Sequence, residues 1–379
     1  MWRRGKTLGQ GAFGKVSMAE VITEEGSGFP TDMAVKSAAV SECRSLRHEL
    51  RAFRDIQPCP HVIRCFGYNI TMEQGVLLYN IFLELATGGS LADLLHRYGG
   101  DLPVNEVRKY TKSVLMGLRH IHRQGYVHCD IKPGNLLLVK SDSPVSPFSY
   151  SLSLNKRKRV EEYTAKIADF GLAMKVGKRK TNRGSLPYIA PESVLHGHYG
   201  TEADIWALGC SVLQLLTGKL PWNFEKNNER AALLFKIGFT DKVPEIPCDL
   251  SMEARDFLGN CLIRDPKSRW TADMLLDHPF ITGSIRLRGG RKRAFLPEAT
   301  RAATGLSPKP PTLVSNSDLI EQKDPCIIPD CRKRSKIVEE DAQKEKPNAD
   351  IALDMLRRYW CVESEAIETN SDTHIEIFN

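Results

Sequence analysis

Long hydrophobic runs are missing from this 379-residue sequence: no stretch reaches the roughly 18 apolar residues that a membrane-spanning helix needs. The longest apolar run, at residues 205–216, is short and interrupted by polar residues, which is typical of a buried helix. No apolar stretch follows the first residues, M-W-R-R-G-K, so we expect no secretory signal, and position 2 holds no glycine for myristoylation. These absences predict a protein without a membrane partner.

A strong charge imbalance and paired cysteines are missing too. The 53 Lys and Arg against 46 Asp and Glu leave a net charge of +7, which does not by itself indicate a nucleic-acid binder. Seven of the ten cysteines form no CxxC pair and no zinc-ligand spacing: Cys43, Cys59, Cys65, Cys129, Cys210, Cys248 and Cys261. The pattern predicts reduced thiols in the cytosol or the nucleus.

Two clusters of basic residues, at residues 156–159 and 332–336, fit either nuclear-import signals or solvated charged loops. Neither cluster is interleaved with aromatic residues, so we expect no nucleic-acid partner. The predicted localisation is therefore cytoplasmic, with nuclear import left open.

The hydrophobic pattern divides residues 1–281 into two halves of different type. Short apolar runs bounded by turns predict strands at residues 15–21, 32–37, 63–67 and 76–85, with a helix at residues 41–56. From residue 90, apolar spacings of three and four predict helices at residues 105–124, 201–218, 251–262 and 271–276. We therefore expect an α+β fold of two lobes, a β-rich one and a helical one, with a cleft between them.

Two segments break this pattern. Residues 141–162 are rich in Ser and Pro and predict an exposed insertion between two strands. From residue 282 to residue 379 the chain is polar, with prolines, basic clusters and an acidic end, which predicts a mostly disordered tail. Within this tail, residues 350–361 fit one amphipathic helix, either a docking helix or a transient one. Its apolar side carries Ile351, Met355, Leu356 and Tyr359.

The first signal of chemistry is a glycine-rich turn, G-Q-G-A-F-G-K-V at residues 9–16. A predicted strand follows it, whereas a dinucleotide-binding fold needs a helix there. Such a hairpin can lay backbone N–H groups over phosphates, because glycine admits close approach and positive φ; a flexible hairpin without function fits as well. Lys36, at the end of an apolar strand, can hold phosphates, and Glu49 in the predicted helix is the candidate carboxylate to orient it.

The strongest signal is the ordered set H-C-D-I-K-P-G-N at residues 128–135, D-F-G at 169–171 and A-P-E at 190–192. Phosphoryl transfer depends on positioning and charge neutralisation more than on covalent help. Asp130 would orient an attacking hydroxyl and accept its proton, and Lys132 would lie near the transferred group. Asn135 and Asp169 are hard oxygen ligands, which suit Mg²⁺ shared with the phosphates.

With these motifs in order, residues 3–281 resemble a eukaryotic protein kinase domain. Lys132, two residues after Asp130, is similar to the serine/threonine type. The runs V-H-C-D-I-K-P-G-N and F-L-E-L-A-T-G-G-S-L, at residues 127–135 and 82–91, are most similar to plant MAP kinase kinase kinases of the MEKK-like group. The resemblance implies ATP and Mg²⁺ as cofactors and a protein substrate, namely a MAP kinase kinase in a signalling cascade.

The resemblance also implies where the nucleotide binds. Adenine would bond the backbone at Glu84 and Ala86, with Ser90 near the ribose. Independently of the resemblance, we expect Arg269 to be the buried partner of Glu192. The predicted catalytic residues are Asp130, Lys132, Lys36 and Glu49. The predicted ATP-binding residues are Leu8, Gly9, Gly11, Gly14, Val16, Ala34, Lys36, Glu84, Ala86 and Ser90. The predicted metal ligands are Asn135 and Asp169.

Three departures from the kinase pattern have consequences. Most kinases carry Arg where Cys129 stands, and that Arg pairs with a phosphate on the activation loop, so we expect less dependence on phosphorylation at Thr181. Ser185 stands where Thr is commoner, and its hydroxyl can still bond Asp130 and Lys132. The interval between Asn135 and Asp169 is longer than usual because of the insertion, which we expect to lie away from the cleft.

Two alternatives remain open at this stage. A pseudokinase scaffold would bind partners without transferring phosphate, although Lys36, Asp130, Asn135 and Asp169 are all intact. A kinase of similar type outside the MAP kinase cascade differs only in its substrate, which the sequence does not name.

Overall fold

Five antiparallel strands form the sheet of the first lobe, in the spatial order β1-β2-β3-β5-β4. The computed structural model describes residues 1–11, 14–22, 30–141, 162–178, 183–222 and 230–283. The strands are β1 (Trp2–Gly11), β2 (Gly14–Val21), β3 (Asp32–Ala39), β4 (Cys65–Glu73) and β5 (Val76–Glu84). The prediction of a strand at residues 63–67 was wrong in its bounds, because the alternation of apolar and polar residues that defines β4 continues to Glu73.

Helix α1 (Arg44–Ile56) packs against one face of this sheet. Leu46 and Leu50, four residues apart and therefore on one side of the helix, contact Tyr79 and Ile81 of β5. The helix begins at Arg44, three residues later than predicted, because Val40–Glu42 forms a short 3₁₀ turn instead. Burial of this apolar side fixes the position of Glu49, which lies on the same helix.

The second lobe is built mainly from helices. These are α2 (Leu91–Tyr98), α3 (Val104–Arg123), α4 (Pro191–His196), α5 (Thr201–Thr217), α6 (Arg230–Phe239), α7 (Met252–Cys261), α8 (Ala272–Leu276) and α9 (Pro279–Thr282). Two short antiparallel strand pairs accompany them: β6 (Tyr126–Val127) with β9 (Met174–Lys175), and β7 (Leu136–Lys140) with β8 (Tyr163–Ile167). The two-lobed α+β prediction is confirmed, whereas α2, α4, α6 and α9 were not predicted.

One hydrophobic core continues from α1 into the helical lobe. Phe53 and Ile56 of α1 belong to the same cluster of buried residues as Leu118 of α3 and Trp206 of α5. The Phe53 ring lies 4.9 Å from that of Phe170, in the D-F-G motif. Apolar contact therefore joins the helix that carries Glu49 to the segment that carries Asp169, one of the two predicted metal ligands.

None of the helices in the described part of the chain is long and apolar enough to cross a membrane. The division into a domain at residues 1–281, an insertion at 141–162 and a tail from 282 stays a prediction, because residues 142–161 and 284–379 lie outside the described residues.

Phe257 offers a test of the core in the helical lobe. Its fully buried ring lies 5.0 Å from that of Phe280 and 5.4 Å from that of His278. We expect Phe257→Ala to lower the free energy of unfolding by about 3–5 kcal/mol, because it removes buried apolar surface and leaves a cavity. Met252→Ala, on the exposed side of the same helix, should change it by less than about 0.5 kcal/mol. Urea unfolding of the full chain measures both, and equal effects would contradict the packing described.

Candidate active site

A cavity of about 750 Å³ lies between the sheet and the helical lobe. All the residues predicted to act in catalysis, to bind ATP or to hold a metal line it, from Leu8 on β1 to Asp169 after β8. It is also lined by apolar residues that sequence reasoning did not assign to the site, among them Ile63, Leu137 and Ala168. Leu137 belongs to the apolar run at residues 136–139, but the sequence alone does not show that it faces the cavity.

Lys36 joins three separate parts of the chain at the back of this cavity. Its ammonium Nζ lies 2.7 Å from Glu49 Oε2 on α1 and 2.9 Å from Asp169 Oδ1. Glu49 Oε1 also accepts a bond from the Phe170 N–H, at 3.3 Å. The predicted pair of Lys36 with Glu49 is therefore formed in this structure, and Asp169 shares the same ammonium.

Opposing forces act on the ionisation of this cluster. Burial disfavours the Lys36 ammonium, but attraction to Glu49 and Asp169 outweighs it and raises the pKa of Lys36. Burial also opposes the Asp169 carboxylate, yet Lys36 lowers the pKa of Asp169. For Glu49, burial outweighs Lys36 and raises the pKa. We take all three groups as ionised, because an ammonium within 2.9 Å of two carboxylates favours the charged form of each.

Asp130 is the centre of a second cluster of bonded polar residues in the same cavity. Its Oδ2 accepts bonds from Lys132 Nζ at 2.8 Å and from Asn135 Nδ2 at 2.9 Å. Its Oδ1 accepts the backbone N–H of Ser185 at 2.9 Å, and the Ser185 hydroxyl lies 2.6 Å from Lys132 Nζ. The predicted bond between the Ser185 hydroxyl and Lys132 is present, whereas Asp130 is bonded by the backbone N–H of Ser185 and not by its hydroxyl.

His128 connects the two clusters. Its Nδ1 accepts the Asp130 N–H at 3.2 Å, so the ring proton lies on Nε2, which donates to the Ala168 carbonyl at 3.0 Å. The ring also packs edge-on against Phe170, with centroids 4.9 Å apart. The loop that carries Asp130 is thereby fixed to the segment that carries Asp169.

Asp204, on α5, is a supporting residue that sequence reasoning missed. This buried carboxylate accepts the backbone N–H groups of His128 and Cys129, each at 2.9 Å, and lies 2.9 Å from His122 Nε2. Cys129 has a φ of 68°, which costs energy for a residue other than glycine, and the bonds to Asp204 offset that cost. The sequence signal that could have indicated this role is an acidic residue in the first turn of an otherwise apolar helix.

Cys129 itself supplies no cation to this region. Its side chain is half-buried, and this loss of solvation together with the negative charge of Asp204 raises the pKa of the thiol, so the sulfur stays protonated. The cation near this region is Arg183, whose guanidinium donates a hydrogen bond to the Leu172 carbonyl. The Arg183 N–H donates to the Tyr199 hydroxyl at 2.8 Å, and that hydroxyl donates back to the Arg183 carbonyl at 3.1 Å. Thr181 lies outside the described residues.

The mouth of the cavity is formed by β5 and the start of α2. The Glu84 carboxylate is bonded to Lys166 Nζ at 2.6 Å, which leaves the backbone of β5 facing the cavity. Ser90 caps α2: its hydroxyl accepts the Asp93 N–H, and Asp93 Oδ2 lies 2.7 Å from that hydroxyl. Both Ser90 and Asp93 line the cavity.

The predicted pair of Glu192 and Arg269 is also present. Arg269 Nη1 and Nη2 lie 2.7 Å and 3.1 Å from the two carboxylate oxygens of Glu192, and Nη1 also donates to the Glu202 carbonyl. Both side chains are buried, so this fork-like pair fixes the end of the A-P-E motif to the helical lobe.

This pair predicts a large effect of Arg269→Leu on stability. The change leaves Glu192 buried without a partner, so we expect a loss of about 3–5 kcal/mol in the free energy of unfolding. Replacing both residues, as Glu192→Leu with Arg269→Leu, should recover part of that loss, because no buried charge is then left unpaired. Urea unfolding measures both, and a loss below about 1 kcal/mol for Arg269→Leu would count against the pairing.

Comparison with known proteins agrees with this geometry. The family model described as the protein kinase domain matches residues 2–281. Among curated proteins of Arabidopsis thaliana, the chain is 42% identical over 289 residues to mitogen-activated protein kinase kinase kinase 20, which covers 74% of this chain and 78% of that protein. It is 36% identical over 288 residues to kinase 18 of the same series, covering 74% and 77%. It is 35% identical over 285 residues to kinase 17, covering 74% and 69%. The chain belongs to the protein kinase family and is of the serine/threonine type.

Proposed function

We propose that this protein is a MAP kinase kinase kinase, which transfers the γ-phosphoryl group of ATP to a serine or threonine hydroxyl of a MAP kinase kinase. The observation that carries the proposal is the Lys36–Glu49 ion pair, which is bonded to Asp169 and shares one cavity with Asp130 and Asn135. The names of the relatives at 35–42% identity support the place in the cascade.

We assign nucleotide binding to the part of the cavity next to the sheet of the first lobe. Leu8, Val16, Ala34 and Leu137 offer apolar surfaces for a flat base, and the backbone at Glu84 and Ala86 offers polar groups along its edge. Gly9, Gly11 and Gly14 bring the backbone of the β1–β2 hairpin close to the phosphates. Gly14 is required for this path, because its φ is +129° and a Cβ there would lie 2.6 Å from the Ser37 carbonyl oxygen.

Lys36 and Glu49 have different roles in holding the phosphates. The Lys36 ammonium provides the charge that attracts the α- and β-phosphates, and the ion pair with Glu49 fixes the position of the Lys36 side chain. Ser90, at the start of α2, is assigned to the ribose.

We assign the transfer step to Asp130 and Lys132. Asp130 would accept the proton of the substrate hydroxyl, because its two oxygens are held in place by three donors. Lys132, already bonded to Asp130 and to Ser185, would neutralise charge on the moving phosphoryl group.

The residues present fit Mg²⁺. Asp169 offers a carboxylate, and Asn135 uses its amide nitrogen for Asp130, which leaves the amide oxygen as a ligand. Two oxygen ligands suit a cation that keeps waters and shares the substrate phosphates. When bound, the cation neutralises phosphate charge. The protein kinase domain implies ATP and a divalent cation in general, and Mg²⁺ is our specific assignment.

A pseudokinase scaffold is the less favoured alternative, because every group assigned to phosphoryl transfer is present and bonded to a partner. A cytoplasmic place of action, with nuclear import left open, stays part of the proposal, since the basic clusters at residues 156–159 and 332–336 lie outside the described residues.

Substitution of Asp130 tests the assignment of the base. We expect Asp130→Asn to lower the rate of phosphate transfer by roughly 10²–10⁴-fold, because an amide does not accept the hydroxyl proton. Lys36→Met should lower it similarly through misplaced phosphates. The full-length variants are incubated with Mg-ATP and a panel of MAP kinase kinases, and thermal unfolding serves as the control for folding. Near-normal turnover in either variant would refute the assignment, and transfer only to proteins outside the panel would refute the cascade.

The cysteine in the catalytic loop predicts activity without activation-loop phosphate. Arg183 and Tyr199 tie the activation segment to Leu172 by hydrogen bonds that need no phosphate. We therefore expect a phosphatase-treated chain to retain more than a tenth of the rate of the autophosphorylated one, and Thr181→Ala to lose little. Arg183→Ala should slow the dephosphorylated enzyme, whereas exposed Lys178→Ala should not. Restoration of more than about tenfold (about 1.4 kcal/mol of barrier) by phosphate at Thr181 would contradict this expectation.

A further inference from the structure

An uncovered apolar surface lies on the edge strand of the sheet. Tyr68, Ile70 and Met72 of β4 are 49%, 50% and 63% exposed, and Leu77 of β5 is 48% exposed. We call these four residues the β4 patch. In the register of the two strands, Tyr68 lies opposite Ile81, Ile70 opposite Tyr79, and Met72 opposite Leu77. The patch therefore belongs to the same face of the sheet as the residues that α1 buries, but the buried apolar cluster of that helix does not include it.

The other face of β4 explains why the patch stays exposed. Asn69 and Thr71 bond Asn80, which is fully buried, and Glu73 forms a two-pronged pair with Arg4 at 2.8 and 2.9 Å. A shift of one residue in the register would move this polar network to the α1 side and break it. The apolar row of β4 is thus fixed at the surface by bonds on the opposite face.

An arginine-rich helix adjoins the patch. Helix α1 exposes Arg44, Arg47, Arg51 and Arg54, of which Arg47 lies over the Tyr79 ring at 5.5 Å and Arg54 over the Tyr68 ring at 5.9 Å. Within the described ranges, none of the four forms an ion pair with a carboxylate. A ligand for this surface therefore needs both apolar side chains and carboxylates.

We propose that residues 350–379 of this same chain dock on the β4 patch. This segment combines the two properties. Ile351, Met355, Leu356 and Tyr359 are spaced to form one apolar helical side, and residues 359–379 contain five Asp and Glu but no Lys or Arg. The rest of the chain is basic, so the acidic segment is attracted to the arginines of α1.

The tether is long enough for this contact. Sixty-six residues separate Gly283 from Asp350. A random-coil linker of that length has an r.m.s. end-to-end distance of roughly 45 Å. A tethered segment has an effective concentration of about 1 mM, so an intrinsic dissociation constant of about 0.1 mM gives about tenfold slower amide exchange on docking.

Hydrogen exchange of the full chain, read by mass spectrometry, tests the proposal independently of kinase activity. We expect amides within residues 350–379 to exchange about tenfold more slowly than the same residues in a free peptide. Ile70→Glu with Met72→Glu should abolish this protection, because it places two carboxylates in the patch. The matched control, Met252→Glu with Met274→Glu, alters two exposed apolar residues of the helical lobe and should leave it unchanged.

Charge and concentration complete the test. Arg51→Glu, or Glu363→Gln with Glu365→Gln and Glu368→Gln, should weaken the protection, and added salt should weaken it in the wild-type chain. The protection should be independent of protein concentration. Exchange at the free-peptide rate in the wild type, equal effects of the patch and control variants, or protection that grows with concentration and so indicates a second copy, would each overturn the proposal.

Discussion

One buried ammonium group holds the active site together. Lys36 on β3 lies between Glu49 on α1 and Asp169 after β8, so a single charge fixes a strand, a helix and a loop that are far apart in the sequence. Because Lys36 and Glu49 are both buried, removing the ammonium would leave the Glu49 carboxylate without its cation in a poorly solvated place. The position of α1 and the arrangement of the active-site residues therefore depend on each other.

The catalytic loop is fixed in another way, by side chains that satisfy its backbone. Asp204 accepts two of its N–H groups, His128 accepts a third, and Asn135 donates to the Asp130 carbonyl at 2.8 Å. A loop without regular secondary structure needs such partners when it is buried. Its rigidity comes from α5, whose interior position is secured by apolar packing along nearly its whole length.

The sequence was sufficient for the parts of the site whose order along the chain is specific, such as Asp130, Asn135 and Asp169. It was also sufficient for the two-lobed fold, since the hydrophobic period changes near residue 90. It did not reveal Asp204, because a carboxylate in a helix predicts solvent exposure unless the bonds it makes are known. It misplaced β4, because from Tyr68 onward one face of that strand is exposed and the other carries the polar residues Asn69, Thr71 and Glu73, so the strand lacks the apolar density of a buried one.

The hairpin of β7 and β8 bears on how the molecule can be modified. Its last rung pairs Lys140 with Tyr163, and beyond it the Ser141 N–H donates to the Glu162 carbonyl at 2.8 Å. Ser141 and Glu162 therefore lie next to each other, and the free energy of closing a loop between two such points grows only with the logarithm of its length. The hairpin end is a natural junction for grafting a fluorescent reporter or an affinity module while Asp130 and Asp169, at the opposite ends of these strands, keep their positions.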